Sequence, residues 1–302
     1  LSEGLCLVPL VWLTAEVIKE DQDVTALLKI TKYDPPPPTS RNFGLKSKGV
    51  NYKYQNPNFK KYTDIENFKK YPNVFQEGEE VIITKKMHGS NWRACIVRRP
   101  SNSYTKLEKF KLFFGLKVPE VEFLVGSHYC IKKKGKKAKV VEDKFLEMAD
   151  KYKIETVLKA LQISISKNED DFFDDGFEKL PEVAIYGELI GPSIQKNYEY
   201  GLEEHELQIF DVSVDGRYLD WDDLVKLCIE YDLPLVEQVY RGPWNLELVK
   251  LAEAVDEYGG KKYTREGIVV KPIKERKAKL GRVVLKFISE KFRLNKENTD
   301  WH

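Results

Sequence analysis

The sequence predicts a mixed α+β fold, mostly antiparallel, with flanking helices. Three observations predict it. Short apolar strands alternate with amphipathic helices from Asn58 onward, hairpin signals such as Asp215-Gly216 come after strand-like runs, and no internal repeat is present. Hydrophobic content of 42% with 12% aromatic residues excludes wholesale disorder of the 302-residue chain. With 32% charged residues and no run near the ~18 apolar residues of a spanning helix, a helical membrane protein is excluded as well.

The chain opens at Leu1 without a methionine, inside the strand-like run Leu5-Cys6-Leu7-Val8-Pro9-Leu10, so its beginning is expected to be missing. That run lacks a basic flank and a small-residue cleavage site and does not read as a signal peptide. Asp23 to Leu28 fits one helical turn capped by Asp23. Asp34 followed by Pro35, Pro36, Pro37 and Pro38 dictates an extended polyproline segment, and the chain stays polar through about Tyr54. Residues 1–50 are therefore an N-terminal extension with a Pro-rich linker, and 51–302 the main domain.

Val81 to Thr84 and Asn91 to Val97 read as strands flanking a tight turn at Gly89, and Phe123 to Val125 as a further short strand. Ile154, Val157, Leu158 and Leu161 share one helical face within Tyr152 to Leu161. Leu224, Leu227, Cys228 and Tyr231 do so within Trp221 to Tyr231, with Asp220 as the expected cap. Glu206 to Val214 is a strand, and Leu246 to Tyr258 fits a third helix closed by Gly259-Gly260. Ile268 to Val270 and Val283 to Leu285 read as buried strands.

Cys6, Cys95, Cys130 and Cys228 are scattered with no Cys-x-x-Cys pair, which points to free thiols in a reducing compartment and against zinc. The net charge of +2 conceals two opposite blocks. Lys132, Lys133, Lys134, Lys136, Lys137 and Lys139 form one; Glu169, Asp170, Asp171, Asp174 and Asp175 form the other. Each reads as a solvated loop, although a basic loop beside a catalytic cleft is an electrostatic footprint for phosphodiester backbone.

The chemistry concentrates in a few segments. Lys86-Met87-His88-Gly89-Ser90-Asn91 places a lysine at a strand end before a glycine turn, where crowding by other cations would lower its pKa and make it a nucleophile. Tyr186-Gly187-Glu188 carries a carboxylate, and Arg265-Glu266-Gly267 another at the start of a strand that ends in Lys271-Pro272. Val284-Leu285-Lys286 delivers a further lysine. Singly, each is a strand-end charge; together they suit a divalent cation and a triphosphate.

In these segments the sequence resembles the covalent nucleotidyltransferases, specifically the RNA ligase 2 branch of ATP-dependent RNA ligases. The resemblance starts at Phe59-Lys60-Lys61-Tyr62 and Ile65-Glu66-Asn67 and runs to Phe292, roughly three quarters of the chain. It implies an ATP-grasp-like ligase/adenylyltransferase domain in which Lys86 is adenylylated and Asn91 is an active-site asparagine. Tyr186-Gly187-Glu188, with Gly191-Pro192 and the tail Ile194-Gln195-Lys196, is similar to motif III and implies that Glu188 contacts the ribose. Ile209-Phe210-Asp211 is similar to motif IIIa, implying that Phe210 stacks on adenine. The resemblance makes Glu266, in motif IV, the metal-associated carboxylate, and turns Lys271 and Lys286 toward the phosphate. The segments around Gly4 to Leu7, Asp23-Val24 and Leu27 to Tyr33 resemble the stretch just after the OB-like domain in the Deinococcus-type RNA ligases, so that residues 1–50 would be a remnant of such a module. The C-terminal helical domain of the phage type is not expected in the ten residues after Phe292.

Three departures stand out. Lys85 occupies a position where this branch commonly has glutamate, and Ile288 one where a second lysine is usual. His128, in Gly126-Ser127-His128, stands where an arginine near the donor is expected. The resemblance implies ATP and Mg²⁺ or Mn²⁺ as cofactors and RNA with 3′-OH and 5′-phosphate ends, nicked duplex included, as partner. His128, Lys132, Lys133 and Lys134 are the candidate RNA contacts, and a monomer inside the cell, away from membranes, is expected. The competing readings are an ATP-dependent DNA ligase, disfavoured by His88 and the Ile194-Gln195-Lys196 tail, and a nucleotide- or RNA-binding protein that has lost catalysis. A capping guanylyltransferase is disfavoured because no chain remains for an OB domain after motif V.

Overall fold

Strand alternation organises two sheets over the described residues, which in this computed structural model are 56–100, 103–132, 143–168, 181–196, 198, 200–258 and 260–294. The first sheet has the order β1 (Glu66–Asn67), β15 (Leu285–Ile288), β12 (Gly267–Pro272), β2 (Glu80–Lys86) and β9 (Gln238–Pro243). Its first pair is parallel and the others antiparallel. The second sheet has the order β5 (Ile131–Lys132), β4 (Val121–Ser127), β3 (Ser90–Arg98), β6 (Val183–Ile190), β7 (Glu206–Val214) and β8 (Arg217–Tyr218), antiparallel throughout. Two small hairpins accompany them, β10 (Val255–Tyr258) with β11 (Lys261–Thr264) and β13 (Lys277–Ala278) with β14 (Gly281–Arg282).

The period of two decides which face each side chain takes. In β2, Val81 and Ile83 join an apolar cluster with Phe68, Phe75, Trp244, Ile268, Val270 and Leu285, whereas Ile82 joins the larger cluster on the other side. In β3, Trp92, Ala94 and Ile96 pack in that larger cluster with Met148 of α2 (Lys144–Lys151) and with Ile154 and Leu158 of α3 (Ile154–Asn168). Cys95 and Val97 take the opposite face with Phe59 and Leu124. Helix α1 (Lys106–Phe113), started by a capping box of Thr105 and Glu108, buries none of its residues and leaves Leu107, Phe110 and Phe113 in solvent.

The mixed, mostly antiparallel architecture agrees with expectation; several details differ. The strands on either side of Gly89 do not pair with each other: β2 belongs to the first sheet and β3 to the second, so Met87 to Gly89 carries the chain between sheets. The helix expected over Leu246 to Tyr258 is a 3₁₀ helix at Leu246–Glu253 followed by β10. Val255 to Tyr258 find a ladder partner in β11, and Gly260, at φ +72°, serves the hairpin rather than a helix terminus. Helix α4 (Trp221–Glu230) starts where expected, but Asp220 spends its carboxylate on Glu275 N and Lys274 Nζ instead of capping. Val283 and Val284 are buried, yet the strand begins only at Leu285. The Asp215-Gly216 turn is as expected, with both residues at positive φ. Cys95, Cys130 and Cys228 are free thiols. Residues 1–55, most of the basic block and the acidic block lie outside the described residues.

Candidate active site

Where the chain crosses from β2 to β3, a cavity of about 230 Å³ opens between the sheets. Lys86, Lys271 and Lys286 line it from the first sheet, and Asn91, Glu188, Gln208 and Phe210 from the second. Register explains the convergence. Gly267 of β12 lies opposite Lys86 while Val269 lies opposite Lys286, and across the cavity Asn91 is paired with Glu188, itself paired with Gln208.

Lys86 Nζ lies 2.5 Å from Glu266 Oε1, and the two side chains are 25% and 10% exposed. Burial pulls the pKa of this ammonium down, but Glu266 and Glu188 overrule it, and the net shift is upward. The expected crowding by cations therefore does not govern Lys86; it is carboxylates that crowd it. The lowered lysine is Lys286, through burial and then through Lys86. Glu188 accepts from Gly89 N at 3.1 Å, and burial pushes its carboxyl up to about 8 against the opposing pull of Lys86.

The crossing loop is held from three sides. Gln195 Nε2 donates to Gly89 O at 2.7 Å, His88 N donates to Tyr200 Oη at 2.7 Å, and the Gly89 amide is taken by Glu188. A Cβ at Gly89 would lie 2.3 Å from Leu189 O and 2.9 Å from Glu188 Cγ. The carbonyl belongs to a strand paired on both sides and has nowhere to retreat. Gly89→Ala is expected to lower the urea unfolding free energy by roughly 1–3 kcal/mol.

Glu188 also ties stability to pH. It titrates near 8 in the fold and at about 4.3 unfolded, so it is protonated only in the native state between those values. Native stability falls as pH rises through that window. Glu188→Gln removes the titration: between about pH 5 and about pH 8 the wild-type melting temperature should fall relative to that of the variant.

Phe210 lines the cavity half-buried, with Tyr62 edge-on at 4.9 Å between ring centres. Lys271 lines it too, but its Nζ is held by Asp211 at 3.0 Å. Asp211, fully buried, also accepts from Arg282 at 2.7 Å and from Tyr62 Oη at 2.6 Å. Tyr62 and Asp211 fall within the motif segments, yet their pattern assigns them no structural role; nothing in the sequence singles out Arg282. Lys85 also borders the cavity, but its Nζ is held by Glu237 at 2.6 Å and Asp256 at 3.1 Å, so its departure adds ion pairs at the cavity wall. Ile288 packs against the larger apolar cluster.

The expected RNA contacts fare differently. His128 lines the cavity. Lys132 does not: its Nζ lies 3.5 Å from Asp143, the cap residue of α2, and 4.5 Å from the Phe145 ring centre. Its charge is used in anchoring that helix. Lys133 and Lys134 lie outside the described residues.

Among the described residues no three acidic, histidine or cysteine side chains converge to cage a metal. Two buried oxygens, Glu266 Oε2 and Asn91 Oδ1, have no hydrogen-bond partner among those residues. Magnesium is commonly held by one or two carboxylates together with substrate phosphates, and such a donor set fits that arrangement.

A family model described as RNA ligase matches residues 79–288, which contain Lys86, Lys271 and Lys286 together with Glu188 and Glu266. No curated protein matches the chain. Among solved structures the chain is similar to Naegleria gruberi RNA ligase with PPi, at TM-score 0.54 and 20% identity over 90% of this chain and 66% of that one. A variant of that ligase with ATP and Mn gives TM-score 0.53 and 19% identity over 91% and 67%. Another variant, with AMP and Mn, gives 0.55 and 18% over 92% and 68%. The chain thus spans about two thirds of the length of these structures, and the likeness is one of fold.

Proposed function

The chain belongs to the RNA ligase family, and on that premise we propose that it is an ATP-dependent RNA ligase joining 3′-OH and 5′-phosphate ends through a lysyl-AMP intermediate. The observation that carries this is the pairing of Lys86 with Glu266, where Lys86 lines a cavity that also presents Glu188, Lys271, Lys286 and Phe210. One cavity thereby offers a nucleophile, a proton acceptor, phosphate-facing cations and an aromatic surface.

Lys86 Nζ must lose its proton before it can attack, and Glu266 Oε1 at 2.5 Å is the acceptor in reach. The nitrogen then bonds to the α-phosphorus of ATP and the bond to pyrophosphate breaks. Lys286 and Lys271 stabilise charge on the phosphate oxygens, Lys271 while keeping Asp211 as its counter-charge. Glu188 hydrogen-bonds the ribose, and Phe210 offers adenine a stacking surface, a contact of ~1–3 kcal/mol for a base on an aromatic ring. A bound Mg²⁺ or Mn²⁺ would neutralise phosphate charge, with Glu266 and Asn91 supplying the protein oxygens. AMP passes next to a 5′-phosphate, forming a 5′–5′ pyrophosphate, and a 3′-OH attacks that phosphate and expels AMP. Each step is an in-line displacement in which positioning does most of the work.

We read residues 51–302 as the ATP-grasp-like nucleotidyltransferase domain and residues 1–50 as an N-terminal extension with a Pro-rich linker, similar to the stretch that follows the OB-like domain in Deinococcus-type RNA ligases. A monomer acting on RNA breaks inside the cell, in RNA repair, completes the reading. No described helix is long and apolar enough to cross a membrane. The deciding assay is gel-based sealing of matched nicks that differ in having RNA or DNA at the 3′-OH side. Sealing confined to, or much faster with, RNA supports the proposal. Equal sealing of DNA points to a DNA ligase, and no sealing of either strand removes the ligase reading.

A further inference from the structure

On the same face of the second sheet, beside the nucleotide cavity, lies another cavity of about 170 Å³. Asn91 and Arg93 are two residues apart on β3, so both side chains leave the sheet on one side, Asn91 into the first cavity and Arg93 into the second. Thr63 borders both. His128, which lines the first, offers its carbonyl oxygen to Arg93 Nη2 at 3.4 Å.

Arg93 is buried in an unusual way. It is 4% exposed, and its guanidinium carbon lies 4.0 Å from the centre of the Phe59 ring. Its Nε and Nη1 have no hydrogen-bond partner among the described residues. A buried cation normally has its donors filled, because stripping water from them without replacement costs several kcal/mol. Burial accordingly pulls the guanidinium pKa down. Around the same cavity stand Lys60 and Lys61 and the hydroxyls of Tyr186, Ser213 and Tyr218, against one carboxylate, Glu182. Cationic and hydroxyl donors thus predominate, and the group that complements them is an oxyanion carrying only acceptors.

We infer that this cavity is a phosphate subsite for the polynucleotide strand whose end enters the adjoining nucleotide pocket, with Arg93 at its floor and Lys60 at its exposed edge. The nature of the strand rests on the ligase reading; the anion site rests on Arg93. The planar guanidinium donors match phosphate oxygens in a way a lysine ammonium does not. Proximity to the nucleotide pocket makes the site useful, since a phosphate anchored there would hold the strand against the adenylate.

The experiment uses the full chain, a 3′-fluorescent oligoribonucleotide with a 5′-phosphate, its 5′-hydroxyl twin, and inorganic phosphate as competitor. Binding is read by anisotropy, and self-adenylylation with α-labelled ATP is followed in parallel. Arg93→Met is expected to weaken binding of the phosphorylated strand about tenfold, and the surface change Lys60→Ala about threefold. Inorganic phosphate should compete with the strand on the wild type and not on Arg93→Met, while both variants label like wild type. A loss confined to the phosphorylated strand identifies a terminal phosphate; an equal loss with the twin identifies a backbone phosphate; both support the subsite. Wild-type binding of both strands by both variants overturns it, and so does a loss of labelling in Arg93→Met that parallels the loss of binding. If Arg93→Met fails to fold, Lys60→Ala decides, and wild-type affinity there overturns the proposal. A wild-type chain that takes no label yet loses phosphate-competed binding in Arg93→Met sinks the ligase reading and leaves the anion site standing.

Discussion

Lys86→Ala should take up no label from α-labelled ATP, at background level, under conditions in which the wild type becomes covalently and acid-stably labelled. The side chain sits at the end of β2 and is a quarter exposed, so its removal costs little packing. What it leaves behind is Glu266, a carboxylate 10% exposed whose second oxygen already lacks a hydrogen bond among the described residues. Persistent label in Lys86→Ala would mean another nucleophile and would end the assignment. The pH dependence has a definite sign. Because the Lys86 pKa is raised above the ordinary 10.5, labelling by the wild type should climb through the alkaline range as neutral amine accumulates. The stabilising contribution of the Lys86–Glu266 pair runs the other way: complete below the unfolded value, it is lost as pH rises through the higher folded one. Glu266→Gln tests the cause: without the proton acceptor labelling should fall overall, and the rising limb of what remains should move to lower pH.

Asp211→Ala should be the most destabilising single change in the site. Asp211 is fully buried and holds Lys271, Arg282 and Tyr62 at 3.0, 2.7 and 2.6 Å. Truncation leaves two buried cations without their shared counter-charge, and breaking such a network from one side costs about 3–5 kcal/mol. Urea unfolding measures this directly, and a loss below about 1 kcal/mol would show that the three partners find other acceptors. Asp211→Asn keeps the shape and a hydrogen-bond acceptor and should lie between the two. Burial would raise the Asp211 pKa, but Lys271 and Arg282 overrule it and hold it below 3.8. Its contribution is therefore present above the unfolded value of about 3.9 and is lost as pH falls through the lower folded one. Arg282 gives that arrangement a second hold, since it is also bound by Glu275 at 2.5 Å.

Much of the site was legible because its parts are strand-borne. Lys86, Asn91, Glu188, Phe210, Lys271 and Lys286 lie on strands whose apolar alternation is plain, and all six reach one cavity. Pairwise chemistry across long separations was not legible. Asp211 is joined to Tyr62 and Arg282, 149 and 71 residues away, and no local pattern announces such a partnership. The same reason explains Lys132, which looks like part of a basic loop yet is claimed by Asp143 and Phe145. It also explains Lys86 itself: the sequence suggested neighbouring cations, and the sheet register instead delivers Glu266. The segment from Leu246 has the apolar spacing of a helix, and a ladder partner a few residues beyond it draws its second half into a hairpin. Propensity yields there to tertiary pairing.

The parallel pairing of β1 with β15 sets an order of events during synthesis. Glu66 meets Leu285 and Asn67 meets Lys286, while Arg282 donates to Tyr62 across 220 residues of chain. Closing so long a loop costs entropy before any contact rewards it, and non-local pairings of this kind form late. A nascent chain therefore carries Lys86 and Glu188 out of the ribosome well before the cavity they line can be complete. The lysine lining of the cavity is therefore complete only once Lys286 has been synthesised.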